Sequence, residues 1–214
     1  MEIDHANDGM LDLGAAMDLL CAENELPGNP LRSAGWRGGR DDETLKRYTS
    51  TIQSLTRECI DICQGDVIEI GTDYGLSAFA MSCAIHRHKS RKVITIDIRP
   101  ETVENTRKRA EVLGVKNILF VLGTSDNIQD YGEGFSFGYI DGGHTFDHCY
   151  KDLCNMAPRI HQYGMILCHD AHYPPPGKTE GNGVRTAIKQ YVAENPEWVA
   201  MRLCGFGLLG RKMR

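Results

Sequence analysis

The sequence has no apolar stretch long enough to cross a membrane and no excess of basic residues. Its net charge is −5 at pH 7 and its isoelectric point is near 5.9, so the composition gives no reason to expect a nucleic-acid partner. The first residues also lack the basic region and apolar run of a secretory signal peptide. We therefore expect a cytoplasmic protein that binds neither nucleic acid nor a membrane.

Closely spaced cysteine pairs are absent as well. The chain has eight cysteines, but none of them is separated from the next by only two residues. This spacing argues against a zinc knuckle and against a thioredoxin-like motif. Free cysteine packs as a small hydrophobe and is typical of a reducing compartment. Four cysteines are expected at such core-type positions: Cys83, Cys149, Cys154 and Cys168.

What the sequence does contain is a regular alternation of helix and strand patterns, which is typical of an α/β fold with a mostly parallel sheet. We predict parallel strands at residues 67–70, 93–97, 118–122 and 137–141 and in a run that ends at 170. Two closing strands, 198–203 and 208–211, are joined by too short a connection for a crossover helix, so they should be antiparallel. The predicted sheet has seven strands with helices on both faces.

The first 64 residues are predicted to be a helical segment that packs on or caps a single domain formed by residues 65–214. Within that segment we expect a helix at 9–25, a loop rich in glycine and proline at 27–41, and an amphipathic helix at 42–63. A loop at 171–183 is either a lid or a plain linker. The sequence leaves a homo-oligomer open.

Two predicted strands end on a carboxylate, Asp141 in the segment 138–144 and Asp170 in the segment 165–170. Ligands bind at the carboxyl ends of the strands in an open parallel sheet. If these strands are neighbours, the two carboxylates face each other with His144 close by. Two carboxylates in a small site repel each other unless a proton or a cation relieves them, so we expect a divalent metal there.

A second motif lies in the turn after the first strand, residues 69–77. Small residues in this turn allow a ligand to approach the backbone. Asp73 stands where a dinucleotide-binding motif has its second glycine, and an acid there would repel a pyrophosphate. A ligand with a cationic centre and an ammonium group would suit Glu69 and Asp73 better. Asp97 ends the second strand, where an acid can accept both ribose hydroxyls, and Ser125 follows the third strand.

Together these residues resemble the class I S-adenosylmethionine-dependent methyltransferases over about 65–214. The segments 140–144, 169–170 and 183–185 are similar to the branch that includes macrocin O-methyltransferase and the cephalosporin-hydroxylase-like proteins. The resemblance implies a Rossmann-like fold, S-adenosylmethionine as cofactor, and a magnesium-dependent reaction on a hydroxyl of a small molecule, often a natural product or sugar. The residues that it implies at the cofactor are Glu69, Gly71, Asp73, Gly75, Ser77, Asp97, Ser125 and Asp141.

For the chemistry, we expect Asp141 and Asp170 to bind Mg²⁺ or another divalent cation and His144 to act as general base. Strand alternation should turn His169 away from Asp170, although it remains a candidate ligand at the strand end. Nitrogen ligation by His169 would favour a softer metal such as Mn²⁺ or Zn²⁺.

Three alternatives remain open. The first is a metal-independent methyltransferase in which His144 works as base without a cation. The second is a protein that binds a nucleoside cofactor without catalysis. The third, a nicotinamide-dependent oxidoreductase, fits the acidic turn least well.

Overall fold

The computed structural model describes residues 42–171, 183–203 and 205–212. The helix expected at 9–25, the loop at 27–41 and most of the loop at 171–183 lie outside the described residues. Among the helices that are described, none is both long and apolar enough to cross a membrane.

Seven strands form one sheet within the described part of the chain. They are β1 (Val67–Ile70), β2 (Val93–Asp97), β3 (Ile118–Leu122), β4 (Phe135–Ile140), β5 (Ile160–Cys168), β6 (Trp198–Leu203) and β7 (Phe206–Arg211). Their order is β3-β2-β1-β4-β5-β7-β6. The pairs from β3 to β5 are parallel, and β7 is antiparallel to both β5 and β6. The predicted mixed sheet and its antiparallel closing pair are confirmed.

Five α-helices connect or flank these strands in the described residues: α1 (Asp42–Cys63), α2 (Leu76–Ile85), α3 (Pro100–Val112), α4 (Phe146–Met156) and α5 (Gly183–Glu194). A 3₁₀ helix, Ser125–Tyr131, precedes β4. Strands β1, β2 and β4 are buried along their whole length, as strands covered on both faces must be.

Two apolar clusters occupy the two faces of the sheet. Residues of α1 and α2, such as Ile52 and Met81, pack with Val67 and Tyr139 on one face. Residues of α4 and α5 pack on the other face with Ile68 and with other strand residues that alternate with the first set. Helix α1 therefore lies on the sheet as an integral layer of the described structure.

Some details differ from the predictions. Cys83, Cys149 and Cys168 are buried as expected, but Cys154 is exposed because it lies on the outer side of α4. Strand β5 ends at Cys168 rather than at Asp170, whose φ of 52° is incompatible with an extended chain.

Candidate active site at the carboxyl edge of the sheet

Backbone hydrogen bonds align the ends of three adjacent strands, β1, β4 and β5. The Asp141 N–H donates to the carbonyl of Ile70 at 2.8 Å, and the His169 N–H donates to the carbonyl of Ile140 at 2.9 Å. Because the strands are parallel neighbours, Gly71, Asp141 and His169 come to lie side by side at one edge. The two carboxylate-ending strands of the sequence are thus adjacent, as the site hypothesis required.

Four side chains meet at this edge, and we call Asp141, His144, His169 and Asp170 the acid–imidazole cluster. Asp141 Oδ1 lies 3.2 Å from His144 Nε2 and 2.8 Å from His169 Nδ1. Asp170 lies on the opposite side of both rings, with its oxygens 3.8 Å from His144 Nδ1 and 3.5 Å from His169 Nε2. Each imidazole therefore lies between the two aspartates and bridges them.

The orientation of His169 differs from the expectation. Strand alternation should have turned it away from Asp170, yet both residues belong to the cluster. The reason is that the extended strand stops at Cys168 and the chain turns through the positive φ of Asp170. Alternation applies only while the backbone stays extended.

Local structure also sets the position of His144. It immediately precedes Thr145, whose side-chain oxygen accepts a hydrogen bond from the His148 N–H and caps the start of α4. The His144 side chain is about half exposed, with a relative accessibility of 50%, whereas that of His169 is 17%. His144 is therefore the cluster imidazole more open to a solvent-borne substrate.

Two tyrosines support Asp141 from beneath. The hydroxyls of Tyr139, on β4, and Tyr48, on α1, lie 3.3 and 3.4 Å from Asp141 Oδ2 and 2.5 Å from each other, so one phenol donates to the other, which in turn donates to the carboxylate. Tyr48 also packs edge-on against the ring of His169, with centroids 5.3 Å apart. Sequence reasoning missed this pair, since Tyr48 fits the apolar stripe of α1. The sequence did offer one signal: a tyrosine in the apolar stripe of a helix carries a hydroxyl that needs a hydrogen-bond partner when it is buried.

The electrostatics of the cluster follow from these contacts. Burial by itself raises the pKa of Asp141, but hydrogen bonds and charge interactions with His144 and His169 outweigh it, so the pKa lies below the usual value. The hydrogen bond with Asp141 raises the pKa of His144, and the charge of Asp170 adds to this. Burial raises the pKa of Tyr48 and Tyr139 well above the usual range, so both phenols keep their protons.

The turn after β1 approaches the cluster closely. Gly71 has a φ of 92°, and a Cβ placed there would lie 2.2 Å from the carbonyl oxygen of Asp141. Gly75 has a φ of 84°, and a Cβ there would lie 2.3 Å from Thr106 Cγ2. Both glycines are therefore required by the fold. The adjacency of Gly71 and Asp141 places the candidate cofactor turn and the acid–imidazole cluster in one continuous site.

Glu69 was expected to face a cationic ligand, but its side chain is buried in the protein. It is fully buried below the turn, where Ser77 donates to Oε1 and Thr95 donates to Oε2 at 2.5 Å. Burial raises the pKa of Glu69 to about 8. In this structure both Glu69 and Ser77 hold the turn against β2, and their role at a cofactor stays a prediction.

Asp97 lies at the end of β2, beside the same turn. Its Oδ2 accepts the backbone N–H groups of Thr72 at 3.0 Å and Asp73 at 3.2 Å. Arg99 contacts both Asp97 oxygens and reaches Asp73 Oδ1 at 3.3 Å. Burial opposes ionisation, but the hydrogen bonds from Arg99 prevail and hold the pKa of Asp97 below its usual value. Arg99, which the sequence did not single out, therefore shares this carboxylate with any ribose that binds here.

Ser125 starts the 3₁₀ helix and is buried. Its hydroxyl accepts a hydrogen bond from Asn155 Nδ2 at 3.0 Å, which ties it to α4. No described contact joins it to the acid–imidazole cluster. Its place next to a nucleoside base remains a prediction.

One group of side chains within the described residues is arranged like metal ligands. Single donor atoms of Asp141, His144 and His169 all lie within 4.8 Å of one another. A carboxylate oxygen and two imidazole nitrogens are all competent metal ligands, so this part of the cluster fits a divalent cation. Asp170 is not part of that group.

Part of the chain is similar to known methyltransferase sequences. Residues 68–171 match a family described as a methyltransferase domain. A curated relative, the protein-L-isoaspartate O-methyltransferase of Fervidobacterium nodosum, is 34% identical over 76 residues, which cover 35% of this chain. The match spans only 37% of that relative's length.

Solved structures share the fold at low sequence identity. The methyltransferase PaMTH1 of Podospora anserina, bound to S-adenosylhomocysteine, is 17% identical with a TM-score of 0.63, and the match covers 100% of this chain and 98% of that one. The O-methyltransferase NovP is 14% identical with a TM-score of 0.63, over 80% of this chain and 81% of its own. Cofactor-bound Rv0187 from MTB is 18% identical with a TM-score of 0.64, over 94% and 90%. Residues 68–171 therefore match the methyltransferase domain family, and the chain shares the Rossmann-like fold of these solved methyltransferases.

Proposed function

We propose that this protein transfers the methyl group of S-adenosylmethionine to a hydroxyl of a small molecule, with assistance from a divalent cation. The observation that carries the proposal is the contact between the Gly71 turn and Asp141. It puts the expected cofactor turn directly beside a cluster of carboxylates and imidazoles. The similar proteins from Fervidobacterium nodosum and NovP are both O-methyltransferases, which supports an oxygen acceptor.

In this reaction an acceptor oxygen attacks the methyl carbon, and the electron pair of the broken carbon–sulfur bond stays on sulfur, giving S-adenosylhomocysteine. The acceptor oxygen must also lose its proton. An alcohol is a poor nucleophile at neutral pH, so the site has to favour deprotonation and hold the oxygen in line.

Asp141 is the centre of the proposed cation site, since it contacts both imidazoles through one oxygen. A divalent cation bound there would lower the pKa of an acceptor hydroxyl, so that its proton can leave to water at neutral pH. The phenols of Tyr48 and Tyr139 keep the Asp141 carboxylate oriented for this role.

A second candidate is the same methyl transfer without a cation, with His144 as the general base. It is favoured by the exposure of His144 and by the neighbouring carboxylates, which raise its pKa. A neutral His144 would then take the hydroxyl proton directly.

The test uses labelled S-adenosylmethionine with a panel of phenols, catechols and sugars, before and after treatment with EDTA. We expect methyl transfer that is lost on chelation and restored by added divalent cation. Transfer that survives chelation but is lost in His144→Ala would support the metal-independent form instead. Binding of S-adenosylhomocysteine without transfer to any acceptor would contradict both.

A further inference from the structure

We propose that the cation site is a two-histidine, one-carboxylate centre that selects a borderline transition-metal ion such as Mn²⁺, Fe²⁺, Co²⁺ or Zn²⁺ over Mg²⁺. Its ligands are Asp141 Oδ1, His144 Nε2 and His169 Nδ1, and Asp170 supports the two imidazoles without binding the ion. This inference rests on the proposed function and specifies its cation.

The separations between the three donor atoms suit a shared ion. Asp141 Oδ1 is 3.2 Å from His144 Nε2 and 2.8 Å from His169 Nδ1. Two ligands on one metal, each at about 2.0–2.2 Å, lie roughly 3 Å apart when they are adjacent in the coordination shell. The observed separations are of that size, so an ion needs only small side-chain movements to enter.

Asp170 lies beside the imidazole nitrogens that would not bind the ion. Its oxygens face the two ring nitrogens that point away from Asp141, at 3.8 Å for His144 Nδ1 and 3.5 Å for His169 Nε2. A metal-bound histidine almost always donates its other N–H to a carboxylate, carbonyl or water. One carboxylate thus lies within ion-pair distance of both rings, at a residue whose backbone φ is 52°.

The second oxygen of Asp141 is already engaged. The hydroxyls of Tyr139 and Tyr48 lie 3.3 and 3.4 Å from Oδ2 and form a hydrogen-bonded group with it. Asp141 therefore offers a single oxygen to the ion. Among the described residues, two nitrogens and one oxygen make up the protein ligands.

That ligand set decides the class of ion. Mg²⁺ is a hard cation that takes oxygen ligands and keeps several waters. Imidazole nitrogen favours later divalent ions, whose affinities for such sites increase from Mn²⁺ to Cu²⁺. The cluster therefore matches a transition-metal dication better than magnesium. His144 is half exposed, so an acceptor can approach the cluster from its side.

The test measures ion binding directly, by calorimetry and visible absorption on EDTA-treated, full-length protein titrated with Co²⁺ or Mg²⁺. We expect Co²⁺ to bind at least about 100-fold more tightly than Mg²⁺. His144→Gln and His169→Gln should each weaken Co²⁺ binding by about 100-fold and change its absorption bands. Asp170→Asn should weaken binding by roughly 10–100-fold with the bands kept in place. His161→Gln, a histidine outside the cluster, is the matched control and should behave as wild type.

Equal affinity for Mg²⁺ and Co²⁺, or Co²⁺ binding that survives both histidine changes, would overturn the inference. New band positions in Asp170→Asn would make Asp170 a direct ligand and overturn its assigned role. Because a variant can fail to fold, the copper(II) EPR spectrum of the wild-type protein gives an independent count, and we expect coupling from two imidazole nitrogens. Coupling from none would contradict the proposal.

The inference and the proposed function fail in different ways. Methyl transfer that is indifferent to EDTA, in a protein that binds Co²⁺ as expected, refutes metal assistance but leaves the ion site standing. Metal-dependent transfer that only Mg²⁺ supports, with no Co²⁺ site, refutes the inference and keeps the proposed function.

Discussion

Tyr48 and Asp141 are separated by 93 residues in the chain, yet the Tyr48 hydroxyl lies 3.4 Å from Asp141 Oδ2. The contact is made on the sheet face on which α1 packs, and a second phenol, Tyr139, contacts both groups. Helix α1 thus contributes a side chain to the site in addition to covering the core. The conformation of Asp141 depends on a helix that precedes the matched methyltransferase domain.

Tyr48→Phe removes one of the two phenols on Asp141 Oδ2 and keeps the ring that packs against His169. We expect the free energy of unfolding to fall by about 1 kcal/mol, the usual net value of a hydrogen bond. Co²⁺ affinity should fall by about tenfold because Asp141 is less well oriented, which corresponds to about 1.4 kcal/mol. Urea unfolding and calorimetry measure the two effects. Tyr163→Phe, at an exposed tyrosine outside the site, is the control. Wild-type Co²⁺ affinity in Tyr48→Phe would show that the phenol does not orient the carboxylate.

Comparing Gly71→Ala with Gly114→Ala separates the stability cost of a steric clash from the cost of a left-handed backbone conformation. Both glycines have positive φ, 92° and 69°, but only at Gly71 would a Cβ meet another group, the Asp141 carbonyl oxygen at 2.2 Å. Gly114→Ala should cost about 1–2 kcal/mol of stability for the left-handed conformation and leave S-adenosylhomocysteine binding intact. Gly71→Ala should cost at least twice as much and weaken that binding, because Asp141 and the turn must move apart. Urea unfolding and calorimetry give both quantities, and equal losses in the two variants would contradict the close contact.

Glu69→Gln tests the buried acid under the turn. Burial raises the pKa of Glu69 in the folded protein to about 8, whereas in the unfolded chain it should titrate near its ordinary 4.5. Between these values the folded state keeps a proton that the unfolded chain has lost, so this group lowers stability as the pH rises from about 4.5 to 8. Glutamine cannot ionise, so the variant should lack that decline.

The measurement for Glu69 is the free energy of unfolding of wild type and variant at several pH values from about 5 to 8. The difference between the two proteins isolates Glu69 from the other titrating groups. Glu104→Gln, at an exposed acid on α3, is the matched control for the loss of one carboxyl group. Parallel curves for Glu69→Gln itself would mean that the buried carboxyl is ionised in the folded protein.

Asp97→Asn tests the predicted ribose contact. The change removes the charge that Arg99 contacts and one acceptor oxygen. We expect at least a tenfold loss of affinity for S-adenosylhomocysteine and a similar loss for adenosine, since both carry the ribose. Stability should fall by roughly 1.5–3 kcal/mol, as for a hydrogen bond to a charged group. Calorimetry with the two ligands measures the affinities. Asp130→Asn is the control, and unchanged adenosine binding in Asp97→Asn would place the ribose elsewhere.

The sheet could be predicted well because its central strands are short runs of buried apolar residues. β1, β2 and β3 have the predicted bounds, and the closing pair is antiparallel as expected from its short connection. The position of β7 between β5 and β6 could not be read from spacing, because pairing partners depend on which apolar edge remains open. The end of β5 was predicted two residues too late, since apolar pattern does not report the positive φ at Asp170.

The candidate site was predicted in part for a similar reason. Residues at strand ends, Asp141, His169 and Asp170, can be placed at one edge from topology alone. Tyr48 and Arg99 could not, because their contacts depend on how a helix packs and on which way a side chain turns. The bridging of the aspartates by imidazoles likewise depends on rotamers, which a linear motif does not encode.

β7 comes after β6 in the chain but is inserted between β6 and the parallel strands, and its first residue, Phe206, packs 5.5 Å from Tyr48 and 5.7 Å from His169, centroid to centroid. Since β6 joins the sheet only through β7 in the described residues, the hairpin has to dock as a unit. One side of the candidate site is therefore formed by this hairpin, whose strand β7 pairs with the edge of β5. A substitution that weakens the packing of this hairpin should therefore reduce the proposed methyl transfer before it unfolds the parallel part of the sheet.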